Sequence, residues 1–234
     1  MRTALAFLTR LPVRPPKDAS LNRAAPFFPL VGALVGALAA ATRAAADQIL
    51  PPLPATLLAI TAAALLTGAL HEDGLADVAD AVGAHTTRQR RLEILKDPRV
   101  GAFGALALVL TTALIATSVA ALDTEHAARA LIAAHVLARA AILPVSRVLE
   151  PAKPGGAGAL LRASTAPTLV ASAIAALLTV PVAGALPLAA AAVAAAISAL
   201  TLNHALGGIT GDGYGATAKL AELAVCLILC ARWA

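Results

Sequence analysis

Six of the thirteen acidic residues crowd into one stretch, HEDGLADVADAVGAHTTRQRRLEILKDPRVGAFG: Glu72, Asp73, Asp77, Asp80, Glu93 and Asp97. Asp73, Asp77 and Asp80 stand at i, i+4 and i+7, so a helix puts their carboxylates on one face, close enough to repel. They follow an uncharged run of 24 residues, Gln48 to His71. Charge beside hydrocarbon is expensive unless something uses it. A divalent cation would use it, because carboxylate oxygens suit a hard ion. The expected metal is Mg²⁺, with Asp73, Asp77 and Asp80 as ligands. Gly74 and Ala76 keep the backbone slim beside the acidic face. The plainer alternative is a solvated helix whose acids pair with Arg88, Arg90 and Arg91.

Lys96, Asp97 and Arg99 precede the next apolar run. A lysine and an arginine near a metal-bound carboxylate make a receptor for phosphate oxygens, the arginine as a two-pronged fork. Anchoring at a membrane face would use the same residues. Further on, Leu206 to Gly215 reads LGGITGDGYG, where glycines around a Thr and an Asp let backbone amides approach phosphate. No Lys-Ser or Lys-Thr follows, so it is not a P-loop. The reading assigns substrate contacts to Gly208, Thr210, Gly211, Lys96, Arg99 and Arg91. Asp212 is a further ligand or base. Glu222, one turn beyond Lys219, either ligates metal or pairs with that lysine. His71, His135, Arg139 and Asn203 fall at span depth or span ends, where Arg139 serves function or neutralises an acid. His85, His126 and His204 are expected at interfaces without a catalytic duty.

These groups must be positioned by a membrane protein. Of 234 residues 59% are hydrophobic and 13% charged, which excludes a water-soluble domain, a disordered chain and a disulfide scaffold. Runs without Asp, Glu, Lys or Arg cover 24–42, 48–71, 100–122 and 163–211. The last is long enough for two spans, near 168–182 and 188–206, with Pro181, Gly184 and Pro187 between them. Weaker spans run from about Ala128 to Val145 and from about Thr217 to Ala234. The expected fold is all-α, a single domain over 1–234 built as a polytopic bundle of about seven transmembrane helices.

Net charge is +5, but one Trp, one Tyr and four Phe are too few to stack bases, so the basic excess faces a membrane and not nucleic acid. Cys226 and Cys230 suit packing or lipid contact. The N-terminal segment, with five basic residues up to Arg23 and no small-residue cleavage pattern, reads as a surface-lying amphipathic stretch. If spans alternate sides, these residues share a side with the Arg88–Arg99 cluster, with Arg147, Lys153 and Arg162, and with Lys219. Arg43, Arg129 and Arg232 fall opposite. The positive-inside rule then makes the first side cytoplasmic. It gathers the loops near 71–99, 146–163 and 206–219 at one cytoplasmic site of a multi-pass inner-membrane protein.

The chain resembles the cobalamin synthase family, the adenosylcobinamide-GDP ribazoletransferases. The resemblance lies in FLTRLPV (Phe7 to Val13), FFPLVGALVG (Phe27 to Gly36), LHEDGLADVADAVG (Leu70 to Gly83), RRLEILKDPRVGAFGALAL (Arg90 to Leu108) and GGITGDGYGATAKLAEL (Gly207 to Leu223), in order along the chain. It implies a bacterial, Mg²⁺-dependent membrane transferase of late vitamin B12 assembly. The implied reaction joins adenosylcobinamide-GDP to α-ribazole or its 5′-phosphate and releases GMP. Asp73, Asp77 and Asp80 fall in the family's acidic signature, Lys96, Asp97 and Arg99 in its Lys-Asp-x-Arg signature, and Asp212 in its Thr-Gly-Asp signature. Lys219 and Pro98 depart from the expected pattern. Self-association or association with other cobalamin-assembly enzymes stays open.

On this reading Asp73, Asp77, Asp80 and Asp212, with Glu222, hold one or two Mg²⁺ on a diphosphate, Lys96 and Arg99 steady its oxygens, and Asp80 or Asp97 accepts the hydroxyl proton. The rivals are an alcohol phosphotransferase acting on CDP-linked lipid, a membrane cation transporter, and a purely structural subunit.

Overall fold

The computed structural model describes every residue except Pro154, which falls in the expected 146–163 loop. Among the described residues it contains helices and no strand; one isolated bridge joins Pro151 to Ile209. The helices are α1 (Arg2–Leu8), α2 (Leu21–Ala24), α3 (Phe28–Ala46), α4 (Pro52–Thr67), α5 (Leu70–Gly83), α6 (Arg88–Ile94), α7 (Ala102–Ala120), α8 (Thr124–Val148), α9 (Thr165–Ala183), α10 (Leu186–Leu206) and α11 (Gly211–Trp233). Six are long and apolar enough to cross a membrane: α3 with its lead-in α2, then α7, α8, α9, α10 and α11. The seventh is α4, of 16 residues, which passes that test only together with α5. The chain is a multi-pass membrane protein.

Small residues set the packing, because helices in lipid gain from close approach and not from hydrophobic sorting. Gly32 and Gly36 press α3 onto α8 so tightly that a Cβ on Gly36 would stand 2.7 Å from Ile132 Cα. The central helix α8 buries most of its length, including His135 and Arg139. By contrast, Leu106, Val109 and Leu114 of α7, Leu169 and Leu177 of α9, and Ile197 and Leu200 of α10 are exposed, as a lipid-facing belt requires. The expected surface-lying N-terminal stretch is anchored more firmly than its charge pattern implies. Ala4 and Leu8 of α1 are buried, and Phe7 stacks on Phe28 at 5.9 Å between ring centroids.

The run 48–71 is not one straight span. Gly68 (φ 66°) and Ala69 (φ 56°) are both left-handed, and α5 leaves α4 at 91°. Two consecutive left-handed residues cannot continue a right-handed helix. The Arg10 side chain packs on Gly68, and the Arg10 amide donates to the Leu66 carbonyl at 2.7 Å, holding the corner. The acidic helix is thereby laid across the end of the bundle. At the opposite end Arg43 is buried, paired with Asp47 and bonded to Thr56 Oγ1 at 2.9 Å, while Thr124 donates to Asp47 at 2.8 Å.

Candidate active site

Helix α5 crosses the first turn of α11 at two glycines. A Cβ on Gly74 would stand 2.6 Å from the Asp212 carbonyl oxygen, and one on Gly215 3.2 Å from Gly74 Cα, so only bare backbone fits. This crossing brings Asp73 and Asp77 toward Asp212, and the charges of Asp73, Asp80 and Asp212 all act on Asp77. Among the described residues, no Lys, Arg or His lies within ion-pair distance of Asp73, Asp77 or Asp212. The three arginines that could have paired with them are used elsewhere. Arg90 pairs with Glu93 at 2.9 Å. Arg88 Nε donates to the Leu206 carbonyl at 2.7 Å and its Nη2 to the Ala152 carbonyl at 3.0 Å. Arg91 reaches the carbonyls of Ala205 and Ala84, each at 3.4 Å.

Several of the expected site residues have partners within the chain. Arg91, expected to contact substrate, donates to one last-turn carbonyl of α10, that of Ala205, and to the Ala84 carbonyl at the end of α5. Asp80, expected as ligand and base, caps α7: its oxygens accept the Gly101 amide at 2.7 Å and the Gly104 amide at 2.8 Å. A Cβ on Gly101 would meet that carboxylate at 2.5 Å, which explains the glycine there. Asp97, the other candidate base, is forked by its own neighbour, with Arg99 Nε at 2.9 Å and Nη2 at 2.7 Å. The guanidinium and the Arg99 amide hold the half-buried Asp97 carboxyl down at about 2. Gly208 is needed by the fold, since its left-handed backbone (φ 149°) lets Ile209 pair with Glu150 and Ala152.

Glu222 is not among the carboxylates at the α5–α11 crossing. It lies deeper, 4% exposed, with Lys219 Nζ at 2.9 Å, His135 Nδ1 at 3.6 Å and Arg139 Nη1 at 3.9 Å. Lys219 reaches back to Glu72 of α5 at 3.1 Å. Two carboxylates, one ammonium and one guanidinium thus balance beneath the site. Lys219, assigned to an inner loop by its charge, is a buried residue of α11. Arg139 has the neutralising role, toward Glu222. His71 is buried in α5.

Thr210 caps α11, its Oγ1 accepting the Gly213 amide at 3.0 Å. Thr210, Gly211 and Asp212 line a cavity of about 240 Å³ with Lys96, Lys153 and Leu92. A second recess of about 430 Å³ is lined by Asp80, Asp97 and Arg99. Lys153, Gly156 and Gly158 of the connection between α8 and α9 line the first cavity, and Tyr214 clamps that connection, its hydroxyl donating to the Gly158 carbonyl at 2.7 Å and lying 2.9 Å from that of Leu161. Lys153 Nζ donates to the Leu92 carbonyl at 3.2 Å. Partial burial and the adjacent Lys96 ammonium hold its amine below the usual lysine range. Sequence reasoning singled out neither Lys153 nor Tyr214. Their partners are backbone carbonyls about 60 residues away, and no spacing rule reaches them.

Among the described residues, no three His, Cys, Asp or Glu side chains form a ready-made metal cage. Mg²⁺ does not require one. It usually keeps waters and binds through one or two carboxylates plus substrate phosphates. Asp73, Asp77 and Asp212, hard oxygen donors without cationic partners, fit that description by chemistry.

A family model described as cobalamin-5-phosphate synthase matches residues 1–230. Proteins named adenosylcobinamide-GDP ribazoletransferase resemble the chain across nearly its whole length. That of Azorhizobium caulinodans is 41% identical, covering 94% of this chain and 91% of its own. That of Rhizobium etli is 40% identical over 97% and 94%, and that of Shewanella amazonensis 38% identical over 98% and 94%. No solved structure matches the chain. A transporter or a purely structural subunit is thereby set aside: the chain belongs to the cobalamin-5-phosphate synthase family and is a membrane-embedded transferase of cobalamin biosynthesis.

Proposed function

We infer that this enzyme joins adenosylcobinamide-GDP to α-ribazole or its 5′-phosphate and releases GMP, with Mg²⁺ as cofactor. The relatives' name supplies the substrates. The observation that carries the reading is the contrast inside one small region. Among the described residues three carboxylates have no cation within ion-pair distance, while at the N-terminus of α11, whose Asp212 is one of them, opens a cavity lined by two lysines. Unpaired acids beside unpaired amines suit a ligand that brings both a metal and an anion.

Asp73, Asp77 and Asp212 would hold the metal, which on binding neutralises charge spreading over the diphosphate. Lys96 and the first turn of α11 hold phosphate oxygens, using ammonium charge and backbone amides. Thr210 keeps that turn in place. Arg99, freed from Asp97 by a more strongly charged partner, is within the same linker and can fork a phosphate. The ribazole hydroxyl attacks the phosphorus on the cobinamide side, and its proton goes to one of the partnerless carboxylates. Asp80 acts indirectly by fixing the start of α7.

The basic residues favour a site facing the cytoplasm of a bacterial inner membrane. Arg10, Arg88, Arg90, Arg91, Lys96 and Lys153 gather at the site's end, against Arg43, Arg129 and Arg232 at the other. Purified protein given Mg²⁺, adenosylcobinamide-GDP and α-ribazole should release GMP. EDTA should stop this and added Mg²⁺ restore it. Release of CMP from CDP-diacylglycerol, without GMP from the cobinamide donor, would overturn the assignment.

A further inference from the structure

Lys153 stands on the 149–164 connection, tied by its Leu92 bond to the rim of the cavity that Lys96 also lines. Among the described residues neither lysine has a carboxylate within ion-pair distance. An ammonium carries three donors, and the Leu92 carbonyl takes one of those on Lys153. Two ammonium groups side by side repel unless an anion joins them. The first turn of α11 faces the same space and adds its positive end. At about 240 Å³ the cavity is smaller than a pocket for a whole drug-sized ligand, so it suits one part of a larger substrate.

We propose that Lys153 and Lys96 form a phosphate-gripping pair, making Lys153 a substrate-binding residue of the transferase. The proposal rests on the transferase reading above. The phosphate could belong to the donor's diphosphate or to the acceptor's 5′-phosphate, and the experiment separates the two. In full-length detergent-purified enzyme, Lys153→Met should raise one KM by about 10- to 100-fold, the range for a charge-assisted hydrogen bond. Lys153→Arg, which keeps the charge, should recover most of that loss. A raised KM for α-ribazole 5′-phosphate, with that for unphosphorylated α-ribazole unchanged, assigns the acceptor's phosphate. A raised KM for adenosylcobinamide-GDP with either acceptor assigns the diphosphate.

Unchanged KM values overturn the proposal. So does an equal fall in kcat with every substrate pair, which is what loss of a mere tie between the 149–164 connection and Leu92 would produce. Calorimetric binding of inorganic phosphate and of pyrophosphate supplies an arm independent of turnover. If the chain lacks transferase activity, the pair still stands when the wild type binds these anions and Lys153→Met binds them at least several-fold more weakly. Equal binding by both proteins refutes it.

Discussion

Two groups of charges share α5 and α11 and are handled in opposite ways. Lys219 and Glu222 of α11 are buried with Arg139 of α8 beside them, Glu72 of α5 is half-buried, and each meets an opposite charge. Asp73 and Asp77 of α5 and Asp212 of α11, nearer the bundle's end, meet none among the described residues. Glu72 and Asp73 are chain neighbours, so a rotation of about 100° around α5 separates a compensated carboxylate from an uncompensated one. Buried charge is tolerated when paired. Charge left unpaired weakens the free protein, and on the function proposed above a metal-bearing substrate completes the set. The paired group positions α5 against α11; the unpaired group uses that position.

The largest effect should come from the unpaired group. Asp73→Asn is expected to lower turnover by about 10²- to 10³-fold, the usual result of removing one preorganised electrostatic contact. The melting temperature in detergent should hold or rise, because a repelling charge has gone. Loss of folded protein in this variant would erase the distinction between the two groups.

The paired group should behave the other way. Lys219→Met strands Glu72 and Glu222 without their ammonium, and breaking a buried pair costs about 3–5 kcal/mol. Adding Glu222→Gln restores neutrality with Arg139 and should return part of that stability in thermal unfolding. A double variant less stable than the single one would show that neutrality is not what the cluster supplies. A smaller effect is expected at the crossing itself. The new methyl of Gly74→Ala meets the Asp212 carbonyl, and overpacking of this kind costs about 1–3 kcal/mol. Because the clash is at the site, a higher Mg²⁺ concentration for half-maximal activity should accompany the lost stability.

The sequence made some of this visible and hid the rest for physical reasons. Five of the expected spans were legible because uncharged length decides what can span hydrocarbon, and each of those runs contains a helix; the two charged spans, α8 and α11, stood out less. The corner in the second was not, since Gly68 signals only a stop, whereas Ala69 adopts left-handed backbone that no residue preference favours. The acidic face on α5 followed from spacing. The fate of Asp80 did not, because its partners are backbone amides 21 and 24 residues on, held by tertiary packing. Glu222 was readable as either ligand or ion-pair partner, and burial beside Lys219 selects the second. Arg88 and Arg91 look like free surface cations until the carbonyl ends of α10 are placed beside them.

The smallest expected effect concerns Asp97, whose charge is paired like that of the buried group but at a half-buried position. Its folded-state value of about 2 lies below the ordinary aspartate range near 4. Any stabilisation from its Arg99 fork is therefore complete above about pH 4 and is lost as pH falls through about 2. The pH profile of kcat/KM in Asp97→Asn should keep the midpoint of its acidic limb, even if its height changes through a displaced Arg99. A general base on Asp97 would instead lend the limb its own pKa, and removing it would move or abolish that limb. A shifted midpoint would transfer Asp97 to the group whose charges await a ligand. An unmoved one leaves the proton acceptor among Asp73, Asp77 and Asp212, the carboxylates that no cation among the described residues has claimed.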